Sequence, residues 1–340
     1  MTYKIYDEIL EQPEVLRKTL EHEINNMDNL SNIVKKADKI YLIGSGSSIS
    51  SCYSIRDALR MTSPINIETY IGYEFYFNKK LVMNENSVAI FASQSGETQD
   101  TINALKKAKK FNIKTISISN EKNSSISNAS DYQIVTRCGT EIGILGTKTH
   151  LTQLFCLYYL LFKASDYENA DVILNDLKKM PDIIEDLINK TEEECKNLAY
   201  EYKDETFFYC LGVGPNFGLA YKIAMTVLME GSNVDACPEY SAEFRHGLIE
   251  CVNKDTPTII LSADYDADII TKKGIDFLKY IGNKKIIHFK LQNYNNINKL
   301  LSPFILLIPL EWFGYYLAYH KGINAGTARH LGILPYDESI

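Results

Sequence analysis

One local pattern, an apolar run closed by a Gly-x-Gly turn and followed by a helix-forming stretch, occurs twice in this chain. Lys39–Ile43 leads into Gly44-Ser45-Gly46, and Phe207–Leu211 leads into Gly212-Val213-Gly214. A short buried strand followed by a tight glycine turn and a helix is the opening of a βαβ unit. Two such openings roughly 165 residues apart indicate two similar α/β domains, not a solenoid.

The rest of the chain keeps the same rhythm. After helices over residues 12–36, where Leu16, Leu20 and Ile24 recur at helical spacing and Pro13 suits a helix start, the first strand leads to a helix over Ser50–Met61. Strands follow at Ile65–Tyr70, Ser87–Ala92, Ile113–Ser119 and Tyr132–Thr136, then a long helix over Thr149–Lys163. The second half predicts strands at Phe207–Leu211, Val234–Ala236, Thr258–Leu261 and Lys285–Leu291, with a helix over Tyr221–Met229. Alternation of this kind favours parallel sheets with helices on both faces. The expected division is residues 1–165, a helical connector at 166–203, a second domain at 204–322 and a C-terminal tail at 323–340.

Composition excludes some partners. The net charge of −7 argues against nucleic acid, and the densest basic run, Lys106-Lys107-Lys109-Lys110, reads as the solvated face of a helix. Seven cysteines, an odd number without a C-x-x-C pair, fit buried free thiols in a reducing, cytoplasmic setting. The N-terminus does not read as a signal peptide. Phe304–Leu317 is apolar but interrupted by Pro309 and Glu311, so it reads as a buried strand end leading into a core helix, not a membrane span.

Two strand-end loops carry the chemistry. Open α/β sheets bind ligands at the carboxyl ends of their strands. Here Gly44-Ser45-Gly46-Ser47-Ser48 follows the first strand and Ser93-Gln94-Ser95-Gly96-Glu97-Thr98 the third. Each enters a helix, whose N-terminal N–H groups and partial positive charge attract anions. Ser47, Ser48, Ser93, Ser95 and Thr98 add hydroxyls, and neither loop contains Lys or Arg. Neutral donors at helix starts suit a phosphomonoester, although serine, threonine and glycine also favour helix starts for structural reasons alone. A dinucleotide site is the rival: Gly44-Ser45-Gly46 begins a G-x-G-x-x-G fingerprint, but Ile49 stands at its third glycine, and Glu68 would have to hold the ribose. No P-loop motif occurs.

With these loops the sequence resembles the SIS (sugar isomerase) family, and within it the isomerase half of glucosamine-6-phosphate synthase and stand-alone deaminase and deglycase relatives. The resemblance covers nearly the whole chain. It includes Glu8–Pro13, the serine loop, Glu141-Ile142-Gly143-Ile144-Leu145-Gly146-Thr147-Lys148-Thr149, Glu243-Phe244-Arg245-His246-Gly247 and the tail from Gly322 to Leu331. It implies two tandem SIS domains, each a flavodoxin-like three-layer sandwich. It implies that Ser48, Ser93, Gln94, Ser95 and Thr98, with Ser47 beside them, hold a sugar 6-phosphate. It also implies that Glu230 moves a proton between C1 and C2 while His246 assists ring opening; sixteen residues separate the two, as in the family. A carboxylate and an imidazole suit these tasks, but Glu243 or Glu250 could be the base. The family usually supplies the histidine to the neighbouring subunit, so a homodimer with composite sites is expected. Neither cofactor nor metal is called for.

Departures from the family narrow the reaction. Met1 leads almost directly into the SIS region, so no amide-hydrolysing domain is expected. The synthase uses a lysine one helical turn before its glutamate and another near the C-terminus, as an imine. The matching positions are Val227 and Ile333. A substrate that carries its own amine needs no enzyme lysine. That favours release of ammonia from glucosamine 6-phosphate, or of an amine from a fructosamine 6-phosphate. An aldose–ketose isomerase without amine release and a non-catalytic sugar-phosphate sensor remain alternatives. Arg329 and His330 lie in the tail, which the resemblance implies closes over the sugar, and carry weaker expectations; Glu97 could orient its loop or touch the ligand, and Lys148 could be no more than a solvated helix end.

Overall fold

The computed structural model describes residues 3–81 and 83–330. In chain order the elements begin with α1 (Lys4–Leu10), α2 (Gln12–Val34), β1 (Lys39–Gly44), α3 (Ser47–Arg60), β2 (Ile67–Ile71) and α4 (Gly72–Phe77). Next come β3 (Ser87–Ala92), α5 (Gln99–Lys109), β4 (Lys114–Ser119), α6 (Ser125–Ala129), β5 (Tyr132–Val135), α7 (Thr147–Ala164) and α8 (Ala170–Glu201). The second half holds β6 (Phe207–Gly212), α9 (Pro215–Lys222), a π-helical run (Ile223–Gly231), β7 (Asp235–Tyr240), a 3₁₀ turn (Glu243–His246) and α10 (Leu248–Cys251). It ends with β8 (Thr258–Ser262), α11 (Asp268–Tyr280), β9 (Ile286–Lys290) and α12 (Ser302–His320).

These elements form two compact units. The first contains residues 11–141, 146–181 and 328–330; the second contains 3–10, 142–145 and 182–327. The division runs through α8 at Pro181, so the stretch drawn from the sequence as a connector is one helix shared between units, and α1 groups with the second unit.

The first unit is built on a five-stranded parallel sheet in the order β2-β1-β3-β4-β5. Every residue of β3 is buried, as a central strand covered on both faces requires. Tyr41, Ile43, Phe75, Ala89, Phe91 and Leu105 form one core layer beneath α4 and α5. The β5 end is tied to α2 by polar contacts: Thr19 Oγ1 donates to the Thr136 carbonyl (2.5 Å), and Asn26 Nδ2 to that of Gln133 (2.9 Å).

The second unit has a four-stranded parallel sheet, β7-β6-β8-β9, which repeats the first sheet's order without its fifth strand. The second glycine of each Gly-x-Gly turn adopts the same unusual conformation, φ 56°, ψ −125° at Gly46 and φ 53°, ψ −136° at Gly214. Only glycine reaches this region without strain, which is why the motif recurs.

Three sequence expectations are corrected here. Phe304–Leu317 contains no strand; it lies wholly within α12, whose apolar character all round is that of a buried core helix. Lys299–His320 is long and apolar enough to cross a membrane, yet that window is fully buried inside the protein. Trp312, fully buried there, donates Nε1–H to the Ile188 carbonyl at 3.1 Å; burying a side chain of this size contributes about 3 kcal/mol. The expected helix over Tyr221–Met229 is α9 followed by a π-helical run, and α11 follows β8 where no helix was drawn. The basic run is only partly a solvated face: the Lys107 ammonium donates to the carbonyls of Phe75, Tyr76 and Asn78, satisfying the end of α4.

Candidate functional site

β1 and β3 are adjacent, with Ile43 opposite Phe91, so their carboxyl-end loops emerge side by side. Ser47 and Ser48 open α3, and Thr98 is the residue before α5. A direct bond joins the two: Ser45 Oγ donates to Asp100 Oδ2 at 2.5 Å. Within the second loop, Ser93 is 2% exposed; its Oγ lies 3.0 Å from Thr98 Oγ1 and accepts the Gly96 N–H at 3.1 Å. Ser95 Oγ accepts the Glu97 N–H at 3.1 Å. Gly96 has φ +68°, and a Cβ there would lie 2.1 Å from Ser124 Oγ, so the turn admits no side chain. The hydroxyls of Ser93, Ser95 and Thr98 are thus gathered on a tight turn at a helix start.

Glu97 orients this loop. Its carboxylate accepts the Ser125 N–H (2.7 Å) and hydroxyl (2.6 Å), and these bonds hold its pKa below the ordinary glutamate value.

A third helix start joins the site, at the Glu141–Thr149 motif that carried part of the family resemblance but was given no place beside the serine loops. Glu141 caps α7: its carboxylate accepts the Thr147 hydroxyl (2.9 Å), the Lys148 N–H (2.8 Å) and the Thr149 hydroxyl. The same carboxylate accepts Gln94 Nε2 at 3.4 Å. A Cβ on Gly146, the residue before α7, would lie 3.1 Å from Ser47 Oγ. Buried His150 fixes this approach, its Nδ1 lying 3.1 Å from both the Ser47 carbonyl and Ser51 Oγ. The starts of α3, α5 and α7 therefore meet at one edge of the sheet and direct N–H groups and partial positive charge there. A carboxylate followed by Thr-Lys-Thr was the available signal, a helix cap supplied from outside the helix. Lys148 is not a solvated end; it is 2% exposed and bonds Glu11 (2.6 Å) and the Thr140 carbonyl (3.0 Å).

Glu68 is occupied within β2, by Lys39 at 2.7 Å and the Tyr70 hydroxyl at 2.6 Å. That removes the residue on which a dinucleotide reading relied.

Glu230 lies in the second unit, at the end of the π-helical run, and remains open to solvent. Desolvation by the surrounding protein raises its pKa above the ordinary value, and the nearby Lys222 ammonium acts in the opposite direction. Lys222, fully buried, donates to the Leu145 carbonyl. π-Helical geometry is rare and frequent at functional sites. Val227 is 1% exposed and packs on Gly314 of α12, where a Cβ would lie 1.9 Å from Val227 Cγ1. This position therefore faces the core. Ile333, the other position compared with a synthase lysine, lies outside the described residues, as does most of the tail expected to close over the site.

His246 is exposed in the 3₁₀ turn after β7. Glu230 precedes β7 and His246 follows it, so the two stand towards opposite ends of a six-residue strand. At about 3.3 Å per residue that strand is about 20 Å long.

Residues 33–163 match the family model described as the SIS domain. The matched stretch is an SIS domain and holds both serine loops. Over 95% of its length the chain is 30% identical to glutamine–fructose-6-phosphate aminotransferase (isomerizing) of Wigglesworthia glossinidia brevipalpis, of which it covers 57%. The chain thus spans a little over half the length of that relative. It is 26% identical to fructoselysine 6-phosphate deglycase of Escherichia coli, with 93% of each chain covered. Among solved structures, the C-terminal domain of glucosamine-fructose-6-phosphate aminotransferase from Francisella tularensis superposes with a TM-score of 0.84 at 23% identity, covering 95% of this chain and 97% of that one. That likeness bears on the fold.

Proposed function

We propose that this protein is an amino-sugar-phosphate enzyme that isomerises its substrate and releases an amine, with the two units acting as tandem SIS domains. The phosphate is bound by Ser47, Ser48, Ser93, Gln94, Ser95 and Thr98 at the starts of α3 and α5, beside that of α7. Glu230 is the base and His246 the ring-opening group. With a fructosamine 6-phosphate, Glu230 takes a proton from C1 and returns it to C2. The substrate nitrogen then stands as an iminium at C1; water adds there, and the C–N bond breaks to give glucose 6-phosphate and free amine. With glucosamine 6-phosphate the proton moves from C2 to C1, and the hydrolysed iminium at C2 gives fructose 6-phosphate and ammonia.

The carrying observation is Val227, packed against Gly314 where a synthase would place a lysine beside the base. A substrate whose own nitrogen forms the imine does not require that lysine. The full-length correspondence with a fructoselysine 6-phosphate deglycase favours the deglycase form. Separation of Glu230 and His246 along β7 supports composite sites in a cytoplasmic homodimer, each using Glu230 of one chain and His246 of the other.

The decisive assay incubates the protein with fructoselysine 6-phosphate and with glucosamine 6-phosphate and measures free amine, ammonia and hexose phosphate. Amine release lost in Glu230→Gln, with sugar-phosphate binding kept, is the expected result. Interconversion of glucose and fructose 6-phosphates without amine release would instead establish a plain isomerase. Binding without turnover of any substrate would establish a sensor.

A further inference from the structure

The second unit has its own cleft at the carboxyl ends of β8 and β9, a cavity of about 480 Å³ beside the start of α11. β8 holds the place in its sheet that β3 holds in the first, since the orders are β7-β6-β8-β9 and β2-β1-β3-β4-β5. The cleft therefore occupies the position of the Ser93–Thr98 loop in the repeated fold, with different side chains.

The lining is built for a polar ligand. Asp268 Oδ2 accepts the N–H groups of Ala263 (2.9 Å) and Tyr265 (3.0 Å), fixing the loop between β8 and α11. Its other oxygen, Oδ1, is buried without a hydrogen bond. Beside it is Thr271, 3% exposed, whose hydroxyl stands towards the Asp268 carboxylate and favours its ionised form. Across the cleft Ser262 Oγ lies 2.7 Å from His288 Nε2. At the rim Lys290 is paired with Asp264 at 3.3 Å, whereas Lys272 has no ion pair among the described residues.

We propose that this cleft is a second ligand site, taking a small polyhydroxylated anion of the sugar-phosphate class. Ligand hydroxyls bridge Asp268 Oδ1, Thr271 and the Ser262–His288 pair, and the anionic group meets Lys272. The size is ordinary for a small-molecule site. The site is separate from the proposed catalytic residues and does not depend on their roles.

Glucitol 6-phosphate, a polyol phosphate with no carbonyl to react, is the probe. Calorimetric titration of the full chain is expected to show two binding events per chain. Ser93→Ala with Ser95→Ala removes one and leaves the other. Lys272→Met, at an exposed position, weakens the remaining event about tenfold, and Thr271→Val, which keeps shape but removes the hydroxyl, does the same; far-UV circular dichroism verifies the fold. An isotherm indifferent to both Lys272→Met and Thr271→Val overturns the proposal. A surviving event that responds to free lysine, an amino-acid zwitterion, but not to glucitol 6-phosphate overturns the sugar-phosphate assignment. Loss of the cleft event alone leaves the reading of the serine loops intact, and the reverse also holds.

Discussion

Gln94 donates its side-chain amide to Glu141 at 3.4 Å, and the same Glu141 carboxylate closes the N-terminus of α7. One acidic residue thus ties the proposed phosphate loop to a helix that begins next to Ser47.

Glu141→Ala removes this cap. Loss of a cap with several partners costs about 1–2 kcal/mol, and Tm should fall by about 1–3 °C. Sugar-phosphate affinity should fall as well, since Gln94 loses its anchor. Scanning calorimetry reads the first effect and titration with glucitol 6-phosphate the second. A stability loss without an affinity loss would show that Glu141 serves the fold alone.

Glu230 should set the acid limb of the pH–rate profile. As a base it must be unprotonated, so activity is lost as pH falls through its folded-state pKa. Desolvation holds that pKa above the value of an ordinary glutamate, so the limb should lie higher than for a freely solvated carboxylate. Lys222→Met removes the charge that lowers it, and the limb should move further up. A profile of kcat/KM against pH for both proteins checks the direction. The same substitution leaves the Leu145 carbonyl without its donor and should lower stability by about 1–3 kcal/mol.

Mixing two inactive variants tests the composite site. A dimer of one Glu230→Gln chain and one His246→Asn chain contains one site with both groups intact if each site draws on two chains. Random exchange should restore about one quarter of wild-type activity, because half of the dimers are mixed and each holds one good site of two. No restoration after verified subunit exchange would place both groups of each site on a single chain.

Thiol reactivity should divide the cysteines sharply. Cys52, Cys138, Cys156, Cys195 and Cys210 are buried, Cys237 is half-buried and Cys251 is exposed. Burial pushes Cys52 and Cys138 up to about 12, and raises Cys156, Cys195 and Cys210 too. A thiol-specific chromogenic reagent near neutral pH should titrate Cys251 quickly and Cys237 slowly. The other five should react only after denaturation. The expectation of uniformly buried thiols does not hold for Cys251.

Much of the strand framework was legible because a parallel strand buried on both faces must be an apolar run. Ser87–Ala92 was placed to the residue, and Phe207–Leu211 to within one. The π-helical run was not legible, because its apolar sequence also satisfies an α-helix; packing against α12 accompanies the difference. α12 was misread for a related reason: an apolar run carries no period, and Pro309 inside it resembles a break.

For the serine loops, the sequence by itself determined the residue types and their place at strand ends, because phosphate chemistry needs donors and glycine turns at helix starts. It also put Glu230 and His246 sixteen residues apart. Only the tertiary structure decided that Glu141 and His150 draw the start of α7 to those loops, that Val227 faces the core, and that β7 holds Glu230 and His246 apart. The physical reason is that spacing along a chain does not specify which strand ends share an edge or which helix face is buried. Those depend on strand order and on the contacts that close the core.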